Sequence, residues 1–144
     1  MATSVDFVTA IKTVLGKYAD FSGRARRSEY WFFYLAVVIG YVVSLIITQV
    51  VRPLGLLLLV LLVLGALIPT LACGVRRLHD TGKSGAFILF RFIPFVGGII
   101  LLVFFVMDSA PGDNQYGPNP KGIGGAPMGG YGQPPLGYPQ PPVV

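Results

Sequence analysis

Polar and apolar positions along this chain fall into long blocks. Residues 30–51, YWFFYLAVVIGYVVSLIITQVV, hold no charge over 22 positions, and residues 54–75, LGLLLLVLLVLGALIPTLACGV, do the same over another 22. A hydrocarbon layer about 30 Å thick needs roughly 20 apolar residues in a helix. Both blocks therefore predict transmembrane helices. Only Arg52 and Pro53 separate them, which predicts a tight hairpin at one membrane face. Pro69, inside the second block, predicts a kink and backbone carbonyls left for neighbours to satisfy. The third block, residues 85–107, GAFILFRFIPFVGGIILLVFFVM, is interrupted by Arg91, Pro94, Gly97 and Gly98. Its whole length matches one broken or kinked span in which Arg91 snorkels to the interface. A re-entrant pair of half-helices is the competing picture.

Ahead of the first block, Phe7, Ile11, Val14, Tyr18 and Phe21 recur at spacings of four and three. Asp6, Thr9, Thr13, Lys17 and Asp20 fall opposite. This predicts an amphipathic helix within residues 1–20, capped by Thr3 with Asp6 and lying flat at the membrane interface. The alternative is a helix packed on the protein's own cytoplasmic loop. The segment lacks a basic start, a compact apolar core and a cleavage site, so no signal peptide is expected. After the third block the pattern dissolves. Residues 108–144 contain nine prolines and nine glycines, a composition that builds no packed core. Residues 121–144 are therefore expected to form a disordered Pro/Gly/Tyr-rich tail, with YGQPP and YPQPP as an imperfect repeat. A polyproline-type ligand for a partner domain is the alternative.

The predicted fold class is an all-α membrane protein with about three transmembrane helices, the third kinked or re-entrant, and residues 21–120 as its membrane domain. Composition agrees. Charged residues make up 12% of the 144 positions and hydrophobic ones 53%, against about 25% charged in a soluble domain. The distribution of basic residues gives the orientation. With three spans, Lys12, Lys17, Arg24, Arg26, Arg27, Arg76, Arg77 and Lys83 share one side, leaving Arg52 and Lys121 on the other. The rich side is expected to be cytoplasmic, and the N-terminus with it. The net charge of +5 is thereby matched to anionic lipid head groups, and nucleic acid is not an expected partner.

The stretch RRLHDTGKSG, residues 76–85, concentrates the chemistry. Gly82, Lys83 and Ser84 fill the second half of a phosphate-loop pattern, but its first glycine falls on Arg77 and the context is no strand–loop–helix. His79 is the single histidine and Cys73 the single cysteine. With Asp80 they fall short of the three or four ligands of a zinc site, so neither metal nor cofactor is expected. Catalysis by Ser84, His79 and an acid would have to operate within one short loop. A structural reading accounts for more residues. Arg76 and Arg77 end the second span, Asp80 with Thr81 and Gly82 makes a turn, and His79 serves as a hydrogen-bonding strut. A second polar stretch, FSGRARRSEYW at residues 21–31, leads into the first span. The two are expected to meet, with Glu29 and Asp80 as the acids among Arg24, Arg26, Arg27, Arg76, Arg77 and Lys83, which leaves a positive surplus.

FSGRARRSEYW, RRLHDTGKSG, IPFVG and PGDNQYGPNP follow in this order between about Phe21 and Pro120. Together they resemble a family of small bacterial inner-membrane proteins, domain-of-unknown-function family 805. The resemblance implies a bacterial cytoplasmic membrane and no assigned activity. Members often carry a tryptophan pair where Ala86 and Phe87 stand here, and an apolar residue at Arg91. The functional expectation is a non-enzymatic membrane interaction or scaffold protein with a basic cytoplasmic face. That face would contact anionic lipid, a membrane protein partner or a second copy. The alternatives are a transporter or channel component with Arg91 on a polar path, and a lipid-modifying enzyme using His79 and Asp80.

Overall fold

The computed structural model describes residues 5–122. The proposed Thr3 cap and the tail from residue 123 onward lie outside the described residues. Among those described, the chain forms helices and turns: α1 (Phe7–Gly16), α2 (Arg27–Val50), α3 (Arg52–Asp80), a 3-10 helix (Gly85–Phe92) and α4 (Val96–Val106).

Helices α2 and α3 are the two long apolar elements. At 24 and 29 residues and about 1.5 Å per residue, each exceeds the roughly 30 Å hydrocarbon thickness. They turn on Val51 alone, whose N–H still reaches the Ile47 carbonyl at 2.7 Å while its own carbonyl accepts from Gly55 N–H at 3.0 Å. Ser44 and Thr48 turn their hydroxyls back onto the carbonyls one turn earlier, at 2.8 and 2.7 Å, so neither of these two hydroxyls is left unpaired toward hydrocarbon. Gly40 lets the Leu62 side chain approach α2; a Cβ there would stand 3.2 Å from it. The buried core lies at the opposite end from this turn. Val14, Ala25, Tyr30, Phe33, Cys73, Leu78, Leu101 and Phe105 pack together there. Elsewhere the hairpin bares large aliphatic side chains, with Ile46 59% and Leu64 63% exposed, a surface suited to lipid.

Pro69 lies within α3, which continues to Asp80. Proline has no N–H for the carbonyl four residues earlier, which belongs to Gly65. The Tyr18 hydroxyl donates to that carbonyl at 2.8 Å. Leu15 follows it into the trough between α2 and α3, beside Phe33, Leu62 and Gly65, and Phe7 meets Phe32 edge-on at 5.9 Å. Helix α1 is therefore docked on the two long helices, and not on a loop. Its N-cap is Asp6, accepting from Thr9 N–H at 3.3 Å.

Residues 85–107, expected as one kinked span with a re-entrant pair of half-helices as the competing picture, form two short helices and no continuous one. Ser84 caps the 3-10 helix by accepting from Ala86 N–H. The chain then reverses over Ile93–Phe95. Phe95 takes φ 63° and ψ −56°, and Val96 N–H bonds the Pro94 carbonyl at 2.7 Å, a γ-turn of the rare, strained hand. Gly97 closes the hairpin so tightly that a Cβ would collide with the Phe90 carbonyl. The 11 residues of α4 span only about 16 Å, too short to cross. The run instead doubles back, because Met107, Ser109 and Ala110 return to Arg77 and Asp80 beside its own start. Lys121, expected on the far side, pairs with Asp108 at the same end. The reversal at Pro94–Phe95 is the physical cause of both corrections.

Tyr18→Phe should lower the unfolding free energy by about 0.5–1.5 kcal/mol, the net contribution of one hydrogen bond. In a Pro69→Ala background, where the ladder bond can reform, the same change should cost markedly less. A double-mutant cycle of thermal melts in detergent measures the difference.

Candidate functional site

The polar stretches converge on Asp80, whose side chain is fully buried. Its two carboxylate oxygens are taken by different partners. Arg24 Nε donates to Oδ1 at 3.0 Å, while Arg77 Nη1 and the Ser109 hydroxyl, at 2.6 Å, share Oδ2. The Asp80 backbone carbonyl accepts from Ala110 N–H at 2.8 Å. One residue thus holds the N-terminal approach to α2, the end of α3 and the segment after α4.

Arg24 is equally committed. Its remaining N–H groups donate to the carbonyls of Ala110 and Gly112, both at 2.8 Å, and more loosely to Gly117 and Asp80. Arg77 directs Nε to the Phe105 carbonyl at 3.2 Å and Nη2 to that of Met107. These carbonyls belong to the fraying end of α4, where helix geometry leaves acceptors unpaired. Trp31 Nε1 joins them, donating to Phe105 at 3.3 Å. Two guanidinium groups therefore terminate the re-entrant hairpin and neutralise a buried carboxylate together.

His79 lies at the rim. Its Nδ1 is 3.1 Å from the Gly23 carbonyl, and its ring stacks on Tyr116 with centroids 3.8 Å apart and planes 3° from parallel. Its backbone carbonyl accepts from Asn114 Nδ2 at 2.9 Å. Tyr116 is set by a local turn in which Asn114 Oδ1 accepts the Tyr116 N–H, and Asn119 is tied to Asp113 and Ala110. Arg76 takes another direction. It is fully buried, its closest acid is Glu29 at 3.8 Å, and its side-chain nitrogens meet no hydrogen-bond acceptor among the described residues. Its backbone carbonyl accepts from Ala25 N–H at 3.1 Å.

The outer basic residues are partnered as well. Arg27 lies 3.6 Å from Asp108, Arg26 donates to the Pro120 carbonyl, and Lys83 stands 4.7 Å above the Phe104 ring. Asp108 is a third acid at this end, beyond the Glu29 and Asp80 expected from sequence. Its carboxyl is held below the usual carboxylate range, chiefly by the Lys121 ammonium and then by the Ser109 N–H. The structure thus brings together Arg24, Arg26, Arg27, Glu29, Arg76, Arg77, His79, Asp80 and Lys83. Arg91 stands apart, on the 3-10 helix among Tyr30, Tyr34 and Phe92. Sequence reasoning passed over Ser109, Asn114, Tyr116 and Asn119. The signal for the last three was PGDNQYGPNP, a dense run of turn formers with side-chain acceptors. Among the described residues no three potential metal ligands cluster.

Two membrane-length helices, a re-entrant hairpin and a buried arginine–carboxylate knot define a small helical membrane protein. Residues 18–118 match the family described as "Protein of unknown function (DUF805)", and the chain belongs to that family. It is 47% identical over 111 residues to "Inner membrane protein YhaI" of Escherichia coli (strain K12), covering 76% of this chain and 92% of that protein. It is 39% identical over 113 residues to "Inner membrane protein YhaH" of the same organism, covering 75% and 93%. No solved structure matches the chain.

Asp80→Asn should destabilise the protein by about 3–5 kcal/mol, because it strips two buried cations of their counter-charge; a thermal melt of the purified protein reads this. Asp108→Asn should leave stability at neutral pH nearly unchanged, since exposed pairs contribute little. It should also remove an acid-dependent step. With its folded pKa depressed, Asp108 contributes stability above its unfolded pKa and loses it as pH falls through the folded one. Fluorescence of the single Trp31 during acid titration follows it.

Proposed function

We propose that this is a non-enzymatic, two-pass protein of the bacterial inner membrane whose lysine-bearing cytoplasmic face engages anionic lipid head groups. The observation that carries the reading is the convergence of Arg24, Asp80 and Ala110 at one end of the α2–α3 hairpin. A chain that enters and leaves at the same end crosses an even number of times. Nine basic residues belong to segments at that end (Lys12, Lys17, Arg24, Arg26, Arg27, Arg76, Arg77, Lys83 and Lys121), against Arg52 alone at the turn. This asymmetry favours the knot end as cytoplasmic, and the printed names of both relatives support the inner membrane.

The knot also narrows which cations serve the face. Arg24, Arg76 and Arg77 are buried and engaged inside the protein, so the positive surplus read from sequence is smaller at the surface. Lys12 and Lys17, exposed on and just after α1, remain for head groups, each contributing about 1 kcal/mol near an anionic surface. Both Asp80 oxygens are occupied and the His79 ring is stacked and bonded, which supports a structural role over acid–base chemistry. A transport path through two crossing helices finds less support.

Reporters fused at either terminus should register the cytoplasm, and one inserted at Arg52 the opposite side; termini on opposite sides would refute the topology. Phosphatidylglycerol should raise the melting temperature of the solubilised protein more than phosphatidylcholine does. Lys12→Glu combined with Lys17→Glu should erase that difference, and an undiminished difference in the variant removes the lipid-face reading.

A further inference from the structure

Arg91, the one charged residue inside the three apolar blocks, lies outside the knot. It sits near the tip of the re-entrant hairpin and is exposed. Among the described residues it makes no ion pair and no hydrogen bond. It lines a groove shared with Thr70 of α3, a residue ten positions before Asp80 and hence about 15 Å from the knot along the helix. A guanidinium at that depth is at the edge of the hydrocarbon layer, where an uncompensated charge is costly and tends to mark a function.

Two grooves meet at this side chain. The first, 410 Å³, lies between the start of α2 and α4 and is walled by Tyr30, Trp31 and Tyr34. The second, 330 Å³, lies between α2 and α3 and is walled by Val37, Val63, Leu67 and Phe92, with Tyr34 and Arg91 at its upper end. Both volumes fall within the usual range of ligand sites. Their order along the helices matters. The aromatic groove, with its Tyr hydroxyls, faces the knot end, and the aliphatic one runs from Thr70 toward Val63, into the bilayer.

We propose that these two grooves hold one anionic phospholipid of the knot-side leaflet, its phosphate on Arg91 and one acyl chain along Leu67 and Val63. Charge complementarity selects the head. Arg91 presents a fork of donors matched to phosphate, and none of the other described residues supplies the anion. The aliphatic trough selects the tail, because a soluble anion would leave it empty. The head-to-tail direction is that of a lipid whose head group points toward the knot end. This site is separate from the lysine-bearing face and does not depend on it.

Native mass spectrometry of the full-length protein, released from detergent with equal phosphatidylglycerol and phosphatidylcholine, tests the assignment. Wild type should retain one phosphatidylglycerol at least tenfold over phosphatidylcholine. Arg91→Leu should lose that preference, and Arg91→Lys should keep part of it. Leu67→Trp, which fills the aliphatic groove without touching the charge, should weaken retention as well, so the assignment is testable even if Arg91→Leu fails to fold. Lys12→Glu with Lys17→Glu should retain the bound lipid. Equal retention by Arg91→Leu, equal binding of the two lipids by wild type, or equal competition by glycerol phosphate overturns the proposal. A crosslink from residue 91 to a second copy of the chain also overturns it.

Discussion

A buried carboxylate cannot stand alone in a protein interior, and Asp80 is the constraint around which the rest of this chain is arranged. Its charge needs cations, supplied by Arg24 and Arg77. Each guanidinium then carries more N–H groups than one carboxylate can absorb. The surplus donors are met by backbone carbonyls of residues 105–117. Electrostatic need at one residue thus fixes the path of three chain segments. Hydrophobic burial does little of this positioning, because most of the aliphatic surface of α2 and α3 faces outward. The polar knot takes the place that a core holds in a soluble domain.

The two halves of the molecule divide the labour accordingly. Toward Val51 the α2–α3 hairpin is held by close approach at small residues, as where Leu62 packs against Gly40. Toward Asp80 it is held by charge, aromatic packing and the returning α4. Helix α1 bridges the two, because the carbonyl freed by Pro69 lies partway down α3 and Tyr18 reaches it. A proline that weakens one helix has become the attachment point for another.

Much of this was legible in the residues. Two uncharged blocks of 22 positions could scarcely become anything but long apolar helices, and their two-residue separation forced an antiparallel pair. The meeting of FSGRARRSEYW with RRLHDTGKSG followed from their shared position at the ends of spans. The third block was harder, because hydropathy is blind to direction. Residues 85–107 are as apolar as a span, and only the strained φ of Phe95 and the close approach at Gly97 show that the chain doubles back. Reading the block as one span placed Lys121 on the far side, whereas it pairs with Asp108 at the end that holds Asp80. PGDNQYGPNP was noticed as a motif, yet its role in supplying carbonyls to Arg24 is invisible in one dimension, since backbone acceptors have no signature in side-chain identity.

The spacing of Arg24's partners has a bearing on time as well as on shape. Its acceptors at Ala110, Gly112 and Gly117 are made more than 80 residues after it, and chains are extended from the N-terminus at about 5–20 residues per second. During those seconds α2 and α3 can already be inserted while their arginines and Asp80 remain hydrated at the membrane surface. The knot closes only when the last motif emerges, so desolvation of the charges is deferred until all their partners are present. Assembly of the knot is therefore complete only after residues 110–117 have been made.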